Sequence, residues 1–137
     1  MRYYFLMFTF IALIGLPGCG GEEGPTTYPV SGTVTYQGKP LAKGQIAFRP
    51  DTERGGSGPM QAGNIVDGKF SFEATEGPKR VEIYGSWEIP GEFITAPDGS
   101  GKKFPKMASL PATYNEKSKL TTTIKPSENT GVDFALE

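Results

Sequence analysis

From Tyr28 onward the chain alternates, with Tyr28, Val30, Gly32, Val34 and Tyr36 on one side and Ser31, Thr33, Thr35 and Gln37 on the other. A period of two lines one face of a strand with apolar groups and the other with polar ones, so this segment predicts a half-buried β-strand. The period recurs. Ile46 and Phe48 mark a second strand that ends before Pro50, and Gln61–Val66 and Lys69–Ala74 flank Asp67-Gly68. That dipeptide tolerates positive φ, which suits a two-residue hairpin with Phe70 and Phe72 facing the core. Val81, Ile83 and Gly85, then Leu120, Thr122 and Ile124, then Val132, Phe134 and Leu136 continue the pattern. Turn residues separate these runs at Gln37-Gly38-Lys39-Pro40, Glu76-Gly77-Pro78 and Glu128-Asn129-Thr130-Gly131. Seven short strands predict an all-β class, two antiparallel sheets packed as a Greek-key sandwich over residues 28–137. The 19 Gly, 12 Pro, nine Phe and six Tyr agree with many turns and few helices.

Two segments break the pattern. Asp51 to Pro59 is polar and glycine-rich, and with no helix start behind it, a surface loop is expected there and not an anion cradle. Between Ser86 and Pro111 the alternation is lost, with Pro90, Pro97, Pro105, Pro111 and the turn Asp98-Gly99-Ser100-Gly101 spread through it. This predicts a long loop over 86–111, and connections of that length are often functional. It carries Trp87, Phe93 and Phe104, which are candidate binding residues. Either they present aromatic faces to a sugar or a protein groove, or they fold back over one end of the sandwich.

The N-terminus has its own logic. Arg2 and the amino group precede an apolar run from Tyr3 to Leu16, which reads as an export signal over 1–18. The run is shorter than the ~20 residues of a membrane-spanning helix, so a permanent span is the weaker alternative. Leu16-Pro17-Gly18-Cys19 resembles the bacterial lipobox, with Pro17 a departure from the usual Ala or Ser. The resemblance implies cleavage between Gly18 and Cys19 and attachment of diacylglycerol to the Cys19 thiol, hence a membrane partner through the lipid. A secreted protein with an incidental cysteine is the competing reading. Residues 19–27, poor in apolar groups, read as a flexible tether. Gly20 is not the Asp that retains some lipoproteins at the inner membrane, so the expected location is the cell envelope, on a periplasmic or outer surface.

Composition restricts the chemistry. There is no histidine, which removes the commonest general base, metal ligand and partner of a Ser or Cys nucleophile. The single cysteine forbids an internal disulfide and a paired-cysteine zinc site. A net charge of −1 spread without basic blocks speaks against a nucleic-acid partner. A carboxylate-based hydrolase would have to use Asp51 with Glu53, or Glu73 with Glu76, and both pairs read as solvated surface. No calcium-loop spacing is present, and no lysine precedes Lys39 for an isopeptide cross-link in the first strand. No catalytic residue, metal ligand or cofactor is expected.

The run from Tyr28 to Phe48, then Asp67-Gly-Lys-Phe70, then Gly77 leading into Val81-Glu-Ile83, resembles the carboxypeptidase regulatory-like domain. The resemblance covers residues 28 to 85 and implies a prealbumin-like (transthyretin-like) sandwich in which the glycines and the Asp-Gly turn are structural. Enzymes with this general sandwich, such as hydroxyisourate hydrolases and intradiol dioxygenases, rely on histidines that this chain lacks. The expectation is a non-enzymatic, membrane-anchored accessory or interaction module for an envelope protein, with glycan or peptide binding through residues 86–111 as the alternative.

Overall fold

The computed structural model describes residues 23–137, so the export signal, Gly18 and Cys19 lie outside the described residues. The strands are β1 (Thr27–Tyr36), β2 (Lys39–Pro40), β3 (Lys43–Pro50), β4 (Gln61–Val66), β5 (Lys69–Thr75), β6 (Gly77–Thr95), β7 (Lys103–Ser109), β8 (Leu120–Ile124) and β9 (Phe134–Leu136). Two single 3-10 turns, Thr52–Arg54 and Ala112–Tyr114, complete the regular structure. The class is all-β, and the order β2-β1-β5-β4-β3-β6-β7 describes one curled, mainly antiparallel sheet, with β8 on β6 and β9 on β1.

Curling makes two layers. β4 and β5 share only the pair Val66↔Lys69 beside their turn, after which β4 follows β3 and β5 follows β1. Asp67 and Gly68 have φ of 50° and 73°, the left-handed values a type I′ turn needs, and Gln37-Gly38 repeats that geometry at 50° and 75°. Between the layers, Val30, Val34, Phe70 and Ala74 face Ile46, Phe48, Ile65, Val81, Ile83 and Ile124, all buried. Phe48 crosses the interface, with its ring centroid 5.0 Å from Phe72 and 6.4 Å from Phe70 in edge-on contacts. Such pairs add about 1 kcal/mol each beyond area burial.

The C-terminal strand departs from the antiparallel expectation. β8 runs from Leu120, opposite Val81, to Ile124, opposite Gly77, so it ends where β1 begins. A short crossing puts Asn129 beside Val30, and the chain then has only one direction left, parallel to β1. Buried Asn129 holds that corner by donating to the Lys125 and Ser127 carbonyls and accepting from the Lys125 amide. Gly32 lets the returning segment lie close, since a Cβ there would overlap the Val132 carbonyl. Gly32→Ala is expected to cost about 3 kcal/mol by forcing these backbones apart, measured as a lower urea midpoint; an unchanged midpoint would show that the two segments part easily.

Among the described residues, one charged side chain points into the sandwich. Lys79 shares the inward face of β6 with Val81 and Ile83 and is fully buried. Its ammonium donates to Thr75 Oγ1 at 2.6 Å, and no carboxylate lies within ion-pair distance among the described residues. Desolvation lowers its pKa from the ordinary lysine value. The unfolded chain therefore binds more protons between the folded and unfolded pKa values, so stability rises with pH across that alkaline window. Lys79→Met is expected to raise stability at pH 7 by about 1 kcal/mol and to flatten that rise in urea titrations. Equal slopes for both proteins would mean that Lys79 stays fully protonated in the fold.

Candidate interaction site

The segment 86–111, expected as a long loop, is for the most part a two-stranded arm. β6 pairs with β8 over Gly77–Val81 and with β3 over Lys79–Gly85; from Ser86 to Thr95 its only partner among the described residues is β7. The seven residues of β7 set the reach of the ribbon at about 23 Å beyond the sandwich at the usual rise. Alternation was absent because neither distal face of the arm packs on a core. Pro105 fits on β7 because an edge strand tolerates the lost donor.

Register fixes which end of the sandwich bears the arm. Thr27 pairs with Thr75, beside the start of β6, whereas Gly85 lies opposite Gly44 at the far end of the strands. The chain thus enters the domain at one end and extends the arm from the other.

Trp87 sits at the base, half-buried, paired across the arm with Ala108, whose small side chain leaves room for the indole. Its ring lies 5.4 Å from Tyr36, which in turn meets Tyr114 edge-on at 6.4 Å. Tyr114 is fixed by the chain end, its hydroxyl donating to the Glu137 carbonyl at 2.7 Å and accepting from the Glu137 amide at 3.0 Å. An open cleft of about 320 Å3 lies beside Trp87 and Tyr36, with Gln37, Lys39, Lys43 and Ser86 on its walls.

Farther out, four large apolar side chains are exposed: Phe93 (60%), Ile94 (53%), Phe104 (51%) and Met107 (54%). Phe93 pairs with Pro105 and Ile94 with Phe104, so Phe93, Pro105 and Met107 occupy one face of the arm and Ile94 and Phe104 the other. The three aromatics singled out from the sequence therefore do not form one surface. Trp87 belongs to the base, and Phe93 and Phe104 point to opposite sides. Ile94 and Met107 were missed, although an apolar residue between prolines and lysines outside any alternating run was the available signal.

Between Glu88↔Met107 and Phe93↔Pro105, β6 spends Ile89-Pro90-Gly91-Glu92 where β7 spends Lys106 alone. Gly91 takes a φ of 77° in this bulge, and Lys106 binds Glu92 across it at 2.7 Å. At the tip, Ser100 donates its amide to Asp98 at 2.9 Å, and the Ser100 hydrogen bonds hold the Asp98 carboxyl below its ordinary pKa. Local bonds of this kind give the arm shape without a core of its own.

The carboxylates considered for hydrolysis stay apart from this end. Asp51 lies 3.4 Å from Arg54, Glu73 accepts a hydrogen bond from the Thr27 hydroxyl at 2.7 Å, and Glu53 and Glu76 are exposed. Among the described residues, no helix is long and apolar enough to cross a membrane and no group of three or more acidic, Cys or His side chains is placed to hold a metal. Compared with family models, curated proteins and solved structures, the chain has no match in any of the three.

The arm's two regions are expected to respond differently to substitution. Phe104→Ser and Ile94→Ser should each change stability by no more than about 0.5 kcal/mol, whereas Trp87→Ala should cost about 3 kcal/mol through lost packing on Tyr36. Urea unfolding measures both. A Phe104 variant as damaging as the Trp87 variant would mean that the distal arm packs on the domain.

Proposed function

We propose that this protein is a lipid-anchored, non-enzymatic interaction module of the cell envelope, held at the membrane through Cys19 and engaging a protein partner with its β6–β7 arm. The observation that carries the reading is the arm itself, with apolar side chains exposed on both faces. A two-stranded ribbon is marginal in water by itself, and exposed apolar groups concentrated on a projecting element are the usual composition of a contact surface. Polarity along the molecule supports it too: an anchor at the N-terminal end leaves the arm facing away from the membrane. The lipobox-like Leu16-Pro17-Gly18-Cys19 and the likeness of residues 28–85 to carboxypeptidase regulatory-like domains belong to this proposal, as does the absence of catalysis.

A second reading, glycan recognition, is favoured by the cleft at the base of the arm, where Tyr36 and Trp87 adjoin Gln37, Lys39 and Lys43. An aromatic wall with nearby polar groups is the general form of a sugar site.

One experiment addresses anchor and arm together. Expressed with its own leader, the wild type is expected to lose residues 1–18, gain lipid mass and fractionate with membrane, while Cys19→Ala does not. Phe93→Ser/Phe104→Ser should keep the lipid and lose a co-purifying partner, and envelope glycans should leave Trp87 emission unchanged. Release of unlipidated wild type would overturn the anchor. A glycan-dependent change in Trp87 emission, with the partner retained by the double variant, would favour the second reading.

A further inference from the structure

Away from the arm, on the outer face of the β3-β6-β8 layer, Arg49, Arg80 and Thr121 form one row across three strands, because Arg49 pairs with Arg80 and Arg80 with Thr121. Like charges directly opposite each other oppose sheet formation. Beneath them lies Glu82, buried, whose carboxylate takes Arg49 Nε at 2.6 Å, Arg80 Nη2 at 3.0 Å and the Tyr84 hydroxyl at 3.0 Å. Burial pushes the Glu82 carboxyl up, but the hydrogen bonds from Tyr84 and Arg49, the Arg49 charge and the Arg80 bond outweigh it and hold the group ionised below its ordinary pKa. One carboxylate thus aligns two guanidinium groups and neutralises one charge.

Arg54 reaches the same row from the 3-10 turn, donating to Thr121 Oγ1 at 3.2 Å and lying 3.4 Å from Asp51. With Lys119 these residues line an open cleft of about 490 Å3, in which Asp51 and Glu53 are the other charged groups. Both terminal nitrogens of Arg49, and Nε and Nη1 of Arg80, have no protein partner among the described residues. Three guanidinium groups brought together by separate elements, with donors to spare, match an anion that offers oxygens in several directions.

We propose that this cleft binds a phosphate group, with Arg49 and Arg80 as the paired donors, Arg54 and Lys119 closing the side, and Glu82 as the positioning residue beneath. The site stands independently of the arm. It lies on the outer face toward the end of the sandwich where the chain enters, since Arg49↔Arg80 is next to Pro50↔Lys79, the last pair of β3 with β6 at that end. A lipid headgroup and a soluble phosphate are therefore the two sources of the same chemistry, the first resting on the membrane anchor proposed above.

The test is titration of the full chain with inorganic phosphate at constant ionic strength, followed by NMR of the arginine side-chain Nε–H groups. Expected are saturable shifts confined to Arg49, Arg54 and Arg80, with an affinity that falls about tenfold in Arg49→Lys and in Arg80→Lys, because lysine keeps the charge and loses the fork. Arg54→Lys, which does not touch Glu82 and so preserves the fold, should weaken binding severalfold. Vesicles of phosphatidylglycerol that displace phosphate from the same signals assign a headgroup as the source; vesicles without effect, with phosphate still saturating, assign a soluble phosphate. Shifts that never saturate, or lysine variants that bind as tightly as wild type, would overturn the site and leave a diffuse positive field.

Discussion

The seating of Phe48 between the layers is the contact on which the rest depends. Phe48 enters from β3 and meets Phe70 and Phe72 of β5, so one ring ties the β1–β5 layer to the layer containing β6. Gly63 belongs to the same arrangement, since a Cβ there would press against the Phe72 ring. With Phe48 seated, β3 is held in register, and β6 lies on β3 through seven consecutive pairs from Lys79 to Gly85. The arm inherits its direction from that register, because β6 leaves the sandwich without a break in the chain. A projecting ribbon with no core of its own is thus aimed by the packing of an aromatic cluster behind it.

The same strand explains how one small domain separates two kinds of surface. Inward residues of β6 run Lys79, Val81, Ile83 and then Trp87 at the base of the arm, while outward residues run Arg80, Glu82 and Tyr84. The outer row is electrostatic and rests on Glu82; the inner row is apolar apart from Lys79. Beyond Trp87 the second sheet layer no longer backs the strand, and at the distal end Phe93 and Ile94 emerge exposed on opposite sides. Edge strand β7 carries Lys103, Pro105 and Lys106, features that discourage indiscriminate pairing with other strands while leaving Phe104 and Met107 available for side-chain contacts.

How much of this was legible in the sequence follows from what each residue packs against. Strands β1, β4, β5 and β8 could be read to within a residue or two because one face of each is buried, which imposes the period of two. Asp67-Gly68 was readable because a type I′ turn needs two positive φ values. The arm was not, since a ribbon with solvent on both distal faces has no reason to alternate, and its prolines looked like breaks. The parallel seating of β9 depends on which end of β1 the crossing reaches, a matter of topology that local pattern does not carry. Trp87 stood out in the sequence as a binding candidate, but its place against Tyr36 joins strands far apart in the chain and could not be read locally. The Arg49–Arg80–Thr121 row was invisible for the same reason, three unremarkable surface residues until pairing across β3, β6 and β8 lines them up. Cys19 lies outside the described residues, and its role remains part of the proposal.

In the proposed function the arm, and not the sandwich face, meets the partner. Photo-cross-linking in a bacterial host tests this directly, with a benzophenone side chain placed at Ile94 on the arm or at Thr123 on the exposed face of β8. A discrete protein adduct is expected from Ile94 and none from Thr123. An adduct from Thr123 alone would contradict it and move the interaction surface to the sandwich.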